Sequence, residues 1–418
     1  MNDVSANSPV PQRPAHVTDA VTYDFDMFGD AAYVADPHKR ILDLIKNAPP
    51  IFWTPRNGGH WMLMSHSANF HASRDTEGFS SEIVPQAMIK AMMAKMPPGS
   101  PHIPQPLPIT IDPPDHTAYR APLQRAFSPK AMLGLQQSIR DLAVDLIEKM
   151  KAKGGGNFVD EVAEPMPVQI FLKMFGLPLE RQQEYRTLVK EHMEGNQNHD
   201  PRAIVARMLK LTSIMRETVL ERKENPKDDL ISMLWQSEIN GKPTTLADLE
   251  NYCVVLFTAG LDTVVNGISH GVLHLAKNPE LQRQLRANPE KIQAASEEML
   301  RRYTFTVPLR RVAKDLNFQG VDMKANDRVM LFLPAADLDS NEYPEAERYD
   351  LQRQNSVHIA FGVGPHRCLG SHLARLEMQI VYEELLARVP EFRLDPDKPV
   401  TYHGGHVVGP DAVWLRWN

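Results

Sequence analysis

Cysteine is nearly absent from this chain, with two in 418 residues. Two thiols make neither a disulfide framework nor a cysteine-rich zinc site, and at most one bridge. That favours a reducing compartment. A basic excess is also missing: Lys and Arg total 46 against 52 Asp and Glu, a formal charge of −6. This argues against nucleic acid as a partner. The opening segment "MNDVSANSPVPQRPAHV" is polar and proline-rich and lacks the apolar core of a signal peptide. No run reads as long enough to cross a bilayer. These absences predict a cytoplasmic protein without a membrane partner, with a flexible arm over residues 1–20.

Hydrophobic residues make up 42% and charged residues 23%, the mix of a globular chain with a large core. "IFWTPRNGGHWMLMS" (Ile51 to Ser65) sets two apolar flanks around Asn57-Gly58-Gly59, a β-hairpin signal. Val84 to Ile109 is dense in Met and Pro. Its prolines exclude a long helix, leaving an irregular apolar loop on the core or a mobile lid with adaptable Met contacts. His102 reads there as a solvent-facing loop residue. From Pro113 on, the pattern turns mostly helical. "TLADLENYCVVLFTAGLDTVVNGISHGVLHLAK" (Thr245 to Lys277) opens on a Thr with an Asp three residues later, a variant capping box. It is apolar on nearly every face, as an interior helix is, and would run on the order of 50 Å. Strand-like pieces are few and distant in sequence. The expectation is a mainly α fold with a minor β region, as one domain over residues 21–418.

Cys368 stands in "FGVGPHRCLGSHLAR". Gly364 and Gly370 permit unusual backbone angles and let something flat approach the main chain. A helix is expected from Ser371, and its N-terminus stabilises a thiolate. Such a thiolate suits an axial ligand to haem iron or a catalytic nucleophile. His366 is the nearest base in sequence, but no further triad-like pattern accompanies it. An inert core thiol would not need the glycines. Cys253, within the long apolar helix, reads as core packing.

Phe361-x-x-Gly364-x-x-x-Cys368-x-Gly370 resembles the haem-binding signature of the cytochrome P450 family of haem-thiolate monooxygenases. Three more stretches follow the family's order: "DPPDHTAYR" (Asp112 to Arg120), "AGLDT" (Ala259 to Thr263), and Glu298-x-x-Arg301 within "EEMLRR". The resemblance covers nearly all the chain after about residue 20, and "GLDTVVN" looks closest to the soluble camphor-hydroxylating branch. It implies the P450 fold, with a long central helix across haem b and a cysteine-ligand loop before a C-terminal helix.

The resemblance also implies roles. Cys368 ligates iron, and His116, Arg120, Arg310 and His366 pair with the haem propionates, with Arg311 a neighbour that could be misaligned with Arg310. Glu298 and Arg301 form a buried structural pair that positions the cysteine loop. Asp262 and Thr263 carry protons to O2, with Thr263 bonding back to the Ala259 carbonyl and loosening the helix there. Substrate contacts fall to Val255, Thr258, Ala259, Phe305, Thr306 and Val407. The pocket they imply suits a small hydrophobic molecule, a monoterpenoid or norisoprenoid. Camphor itself does not follow, because the camphor branch holds a ketone with a lid tyrosine and no tyrosine lies between Phe79 and Asp112. Electrons would come from a [2Fe–2S] ferredoxin and its flavoprotein reductase, docking on basic residues drawn from Arg120, Arg125, Lys130, Arg367 and Arg375. A peroxide-dependent haem enzyme and a haem-based sensor or carrier are the competing readings. A carrier would gain nothing from an acid–alcohol proton relay.

Overall fold

The computed structural model describes residues 12–97, 99–100, 102–195 and 201–417. Most of the expected flexible arm therefore lies outside the described residues. The chain separates into two compact units, each assembled from distant segments. The first comprises residues up to 83, 269–368 and 393–415, and the second residues 84–268, 369–392 and the C-terminal end.

In chain order, the strands of the main sheet are β1 (Ile51–Thr54), β2 (His60–Leu63), β3 (Phe79–Ser80), β4 (Leu309–Val312) and β5 (Arg328–Leu331). The site-bearing helices are α1 (His66–Arg74), α2 (Gln86–Ala94), α3 (Asp115–Ala126), α4 (Gln182–Gly195), α5 (Pro201–Glu224), α6 (Leu246–Gly260), α7 (Asp262–Lys277), α8 (Ile292–Arg302) and α9 (Ser371–Arg388).

The first unit holds the five-stranded sheet, in the order β1-β2-β5-β4-β3. The expected hairpin is present: Trp53 faces Trp61 across an antiparallel pair, and Asn57, Gly58 and Gly59 all take positive φ. β5 runs parallel to β2 and antiparallel to β4. Trp61, Leu63, Val312, Leu331 and Ile359 share its buried core. Burial alternates along β4, with Arg310 and Val312 inward and Leu309 and Arg311 less so, as a pleat of period two demands.

The second unit is helical around α6. Leu249, Tyr252, Cys253, Val254 and Phe257 pack with Phe171, Phe175, Tyr185 and Met215. Cys253 is core packing, as expected, and burial pushes its thiol up to about 12. The α6 N-terminus is a complete capping box between Thr245 and Asp248. The long helix is interrupted: α6 ends at Gly260, Leu261 is its C-cap, and α7 restarts at Asp262.

Three expectations need correction. Leu246–Lys277 is long and apolar enough to cross a membrane by length and composition, contrary to the sequence reading. Its most apolar window is 67% buried, which is the character of an interior helix. The Met- and Pro-rich segment is not wholly irregular, because α2 occupies nine of its residues, with Met88 and Met92 exposed. His102 does not face solvent. Its Nε2 lies 3.0 Å from Asn251 Oδ1 on α6, and the same oxygen accepts from the Gln105 amide at 2.8 Å. These two bonds pin the segment after α2 to the core helix.

Candidate active site

The cysteine loop belongs to the first unit and is shaped by its own backbone. The Cys368 amide donates to the Phe361 carbonyl at 2.8 Å, and the Arg367 amide to Gly364 O at 3.1 Å. Gly364 has φ +76°, and a Cβ there would come within 2.7 Å of the Ser73 carbonyl on α1. Only glycine fits. Gly370 departs from expectation. Its φ is −80°, so it supplies no special backbone angle. A Cβ at Gly370, or at Gly362, would meet nothing within 4 Å. These two positions keep the backbone bare on either side of Cys368, which is exposed. Three residues on, α9 opens at Ser371, the expected helix.

Behind the loop lies a buried charge network. Arg301 donates to both Glu298 oxygens, at 2.8 and 2.9 Å. Arg301 is fully buried and Glu298 nearly so. A buried pair of this kind holds only if the remaining donors and acceptors are satisfied, and they are. Glu298 also accepts from the Asp350 amide and Arg353 Nε. Arg301 also donates to the carbonyls of Asp337 and Arg348 and lies over the Tyr343 ring. The sequence reading named Glu298 and Arg301 but missed Arg353 and Asp337.

Asp337 links this network to the loop. It is fully buried, and its Oδ1 accepts from the Ile359 amide at 2.9 Å. Ile359 in turn accepts from the Gly362 amide at 2.7 Å. Thr304 Oγ1 lies 2.6 Å from Asp337 Oδ2 and 2.7 Å from the Leu300 carbonyl, and its one proton is shared between the two acceptors. Burial pushes the Asp337 carboxyl above its ordinary value, against the opposing Thr304 bond.

Other expected residues of this unit fall nearby. Val407 bridges Thr306, and the Phe305 carbonyl accepts from the Val408 amide at 2.9 Å. Thr306 Oγ1 reaches the Ala360 carbonyl of the cysteine loop at 3.4 Å. Strand alternation turns Arg310 inward, while Arg311 donates to the Glu82 carbonyl at 2.7 Å. His366 is half-buried.

The second unit carries the acid–alcohol pair at the helix break. Thr263 Oγ1 donates to the Ala259 carbonyl at 3.0 Å, the back-bond expected. Asp262 Oδ2 accepts from Asn266 Nδ2 at 3.3 Å. Ala259 and Gly260 are exposed, whereas Leu261 is buried. Thr258 bonds back to Val254 at 2.8 Å, and Val255 is buried. His116 and Arg120 both lie on α3, His116 buried and Arg120 half-buried. The Tyr382 hydroxyl of α9 donates to the Gly267 carbonyl at 3.0 Å, tying α9 to α7. Arg125, Lys130 and Arg367 are exposed, and Arg375 is half-buried.

Among the described residues, no group of three or more His, Cys, Asp or Glu side chains could hold a metal ion. The first unit instead fits a porphyrin whose iron takes one thiolate: it has one exposed thiol flanked by bare backbone, and its donors Arg310 and His366 are of the kind that pairs with carboxylates.

Comparison with known proteins agrees. The family model described as Cytochrome P450 matches residues 108–404. The chain is 32% identical to a probable cytochrome P450 127A1 of Sinorhizobium fredii over 97% of this chain and 96% of that one. It is 28% identical to a linalool 8-monooxygenase of Pseudomonas putida, over 86% and 90% of the two. Among solved structures, the crystal structure of CYP101J2 matches with a TM-score of 0.86 at 33% identity, covering 98% of this chain and all of that one. That of CYP101C1 matches with a TM-score of 0.85 at 30% identity, covering 97% of this chain and all of that one.

Proposed function

Because the chain belongs to the cytochrome P450 family, and so is a haem b monooxygenase, we propose that it hydroxylates a C–H bond of a small terpenoid-like substrate, a monoterpenoid or norisoprenoid. The observation that carries the reading is the Cys368 loop, with its thiol exposed between two bare glycines and its backbone fixed by Phe361, Gly364 and the Asp337–Ile359 bond. The similarity to a linalool 8-monooxygenase supports the substrate class.

Bound haem with a thiolate ligand supplies the activation of O2. The protein's own residues do the rest. Cys368 supplies the thiolate. His116, Arg120, Arg310 and His366 neutralise the propionates. Thr263 holds a hydroxyl proton at Oγ1, and Asp262 moves protons to it from water. Val255, Thr258, Ala259, Phe305, Thr306 and Val407 exclude water and orient the substrate. Electrons arrive from a [2Fe–2S] ferredoxin reduced by a flavoprotein, with exposed Arg125, Lys130 and Arg367 as docking charges.

The test is a spectral titration of the ferric protein with a panel of small terpenoids, followed by turnover with a ferredoxin and its reductase. A Soret shift and a hydroxylated product are expected. In Thr263→Ala, product per O2 consumed should fall about 100-fold or more while reduction of the protein persists. A missing thiolate-type carbon monoxide band in pigmented protein would overturn the reading. Turnover with peroxide alone would assign the peroxide-dependent chemistry instead.

A further inference from the structure

A row of aromatic rings runs through the first unit beside the cysteine loop. His270 and His274 are four residues apart on α7 and share one face. Tyr303 caps the C-terminus of α8, and Phe305 stands two residues beyond it. The His270 ring stacks on Phe305 and on Tyr303, with centroids 6.0 and 5.8 Å away. The His274 ring lies 5.4 Å from Tyr303 and 4.4 Å from Tyr349. All four separations are those of rings in contact or nearly so. The row therefore runs from Phe305 through His270, Tyr303 and His274 to Tyr349. Its Phe305 end adjoins the iron-binding turn, because the next residue, Thr306, reaches the Ala360 carbonyl of that loop at 3.4 Å.

Only one of the two phenols has a base to take its proton. The Tyr303 hydroxyl lies 2.8 Å from His274 Nδ1 and accepts from Arg302 Nη1. Asn278 Nδ2, a donor, also faces that His274 nitrogen, at 3.4 Å. Two donors converge on Nδ1, so it is the bare acceptor of a neutral imidazole and the Tyr303 proton points at it. Burial depresses His274 to about 3, with Arg302 and Lys277 adding repulsion, which keeps the ring neutral. The Tyr349 hydroxyl is shielded from solvent and has no partner among the described residues. A phenol that gives up an electron becomes a strong acid, and a buried cation is costly unless a base removes the proton. We propose that Tyr303 is a redox-active tyrosine that drains oxidising equivalents from the haem site when no substrate is bound. Tyr303 loses one electron to the oxidised haem, which is thereby reduced by one equivalent, and its hydroxyl proton passes to His274 Nδ1. A neutral phenoxyl radical and an imidazolium remain. An external one-electron reductant such as ascorbate returns the electron, and His274 returns the proton. The Arg302 charge and the weak basicity of His274 make the electron hard to remove, which reserves the step for a strongly oxidised haem and spares Tyr303 in the resting protein. The proposal rests on the haem-thiolate reading and goes beyond it.

The test mixes haem-loaded ferric protein with peroxyacetic acid, without substrate, and freezes it for electron paramagnetic resonance. A phenoxyl signal is expected, narrowed when the tyrosines carry ring deuterium. Tyr303→Phe should abolish it, and Tyr349→Phe should leave it. His274→Phe, which removes the proton acceptor, should lose most of it. Loss of the haem absorption under peroxyacid should be faster in Tyr303→Phe than in the original protein. A full phenoxyl signal in Tyr303→Phe, or its loss in Tyr349→Phe, would overturn the assignment. Equal rates of haem loss would overturn the draining role. No phenoxyl signal in the unmodified protein would overturn the proposal without any variant. Failure of the family reading is separate and visible: the thiolate-type carbon monoxide band, recorded on the same preparation, would be missing.

Discussion

Asp337 braces the cysteine loop through the Ile359 amide, and burial holds its carboxyl above the ordinary value. Replacement by asparagine keeps the shape. Its oxygen accepts from the Ile359 amide and its nitrogen donates to Thr304 Oγ1, whose proton then goes to the Leu300 carbonyl. Replacement by leucine removes both. The Ile359 amide and the Thr304 hydroxyl then lose a partner in a buried site, at about 1–3 kcal/mol for each unsatisfied group. A loss of about 2–6 kcal/mol follows, or roughly 2–6 °C in Tm for a chain of this length.

The pH dependence is the sharper test. Burial, the largest cause, holds the Asp337 carboxyl above its ordinary 3.8, against smaller opposing contributions from His358, Thr304 and the Ile359 amide. A carboxyl with a raised folded pKa contributes stability at low pH that is lost as pH rises above 3.8 through the folded value. Asparagine has no proton to lose. Asp337→Asn should therefore gain on the original protein as pH rises from 4 to 8, while Asp337→Leu stays destabilised throughout. Thermal unfolding of the haem-loaded proteins at pH 4, 6 and 8, with the carbon monoxide spectrum recorded at each, measures both effects. If asparagine costs as much as leucine, or if its offset does not change with pH, the argument that burial raises the Asp337 carboxyl is refuted.

Breaking the buried pair by Arg301→Leu leaves Glu298 with only the Asp350 amide and Arg353 and should cost about 3–5 kcal/mol, seen as a fall in haem per protein after purification; normal haem loading would contradict the positioning role. Glu377 on α9 is fully buried, with Oε2 unpartnered, and burial pushes it up to about 8. Its stabilising effect is complete below 4.5 and fades as pH rises to 8, so Glu377→Gln should become progressively more stable than the original protein over that window by urea denaturation, at up to about 1.4 kcal/mol per pH unit. Burial depresses His38 and His274 to about 3 and His270 to about 4, with Arg302 adding repulsion at the first two. Unfolded histidines take up protons below about 6.5 and these three do not, so stability should drop as pH falls from 6.5 to 5, by roughly 4 kcal/mol per pH unit for the three together. A urea midpoint unchanged over that range would show that they are not buried as neutral rings.

Local signals were readable where local chemistry decides. The hairpin follows from Asn57-Gly58-Gly59, the α6 start from Thr245 and Asp248, and the helix interruption from Gly260 beside the Thr263 back-bond. Which of Arg310 and Arg311 turns inward could not be read from neighbours in sequence, but one pleat of β4 decides it. Asp337 and Arg353 were missed, and His102 was misread, for a common reason. Their significance comes from partners that only the folded chain reveals. Asp337 reads as one of several acids in "LPAADLDSNEY", and its bond to Ile359 spans 22 residues. Gly370 was overread, because spacing shows that a glycine is present and not whether its φ is positive.

The Glu298–Arg301 hub has a consequence for how the protein is made. Its partners lie 36 and 47 residues downstream of Arg301 and 52 and 55 downstream of Glu298. Until that later stretch has left the ribosome and docked, the hub lacks these partners, and the turn around Cys368, made later still, has no fixed support. The folding of this turn is thus tied to completion of the chain well beyond the helix that carries the hub.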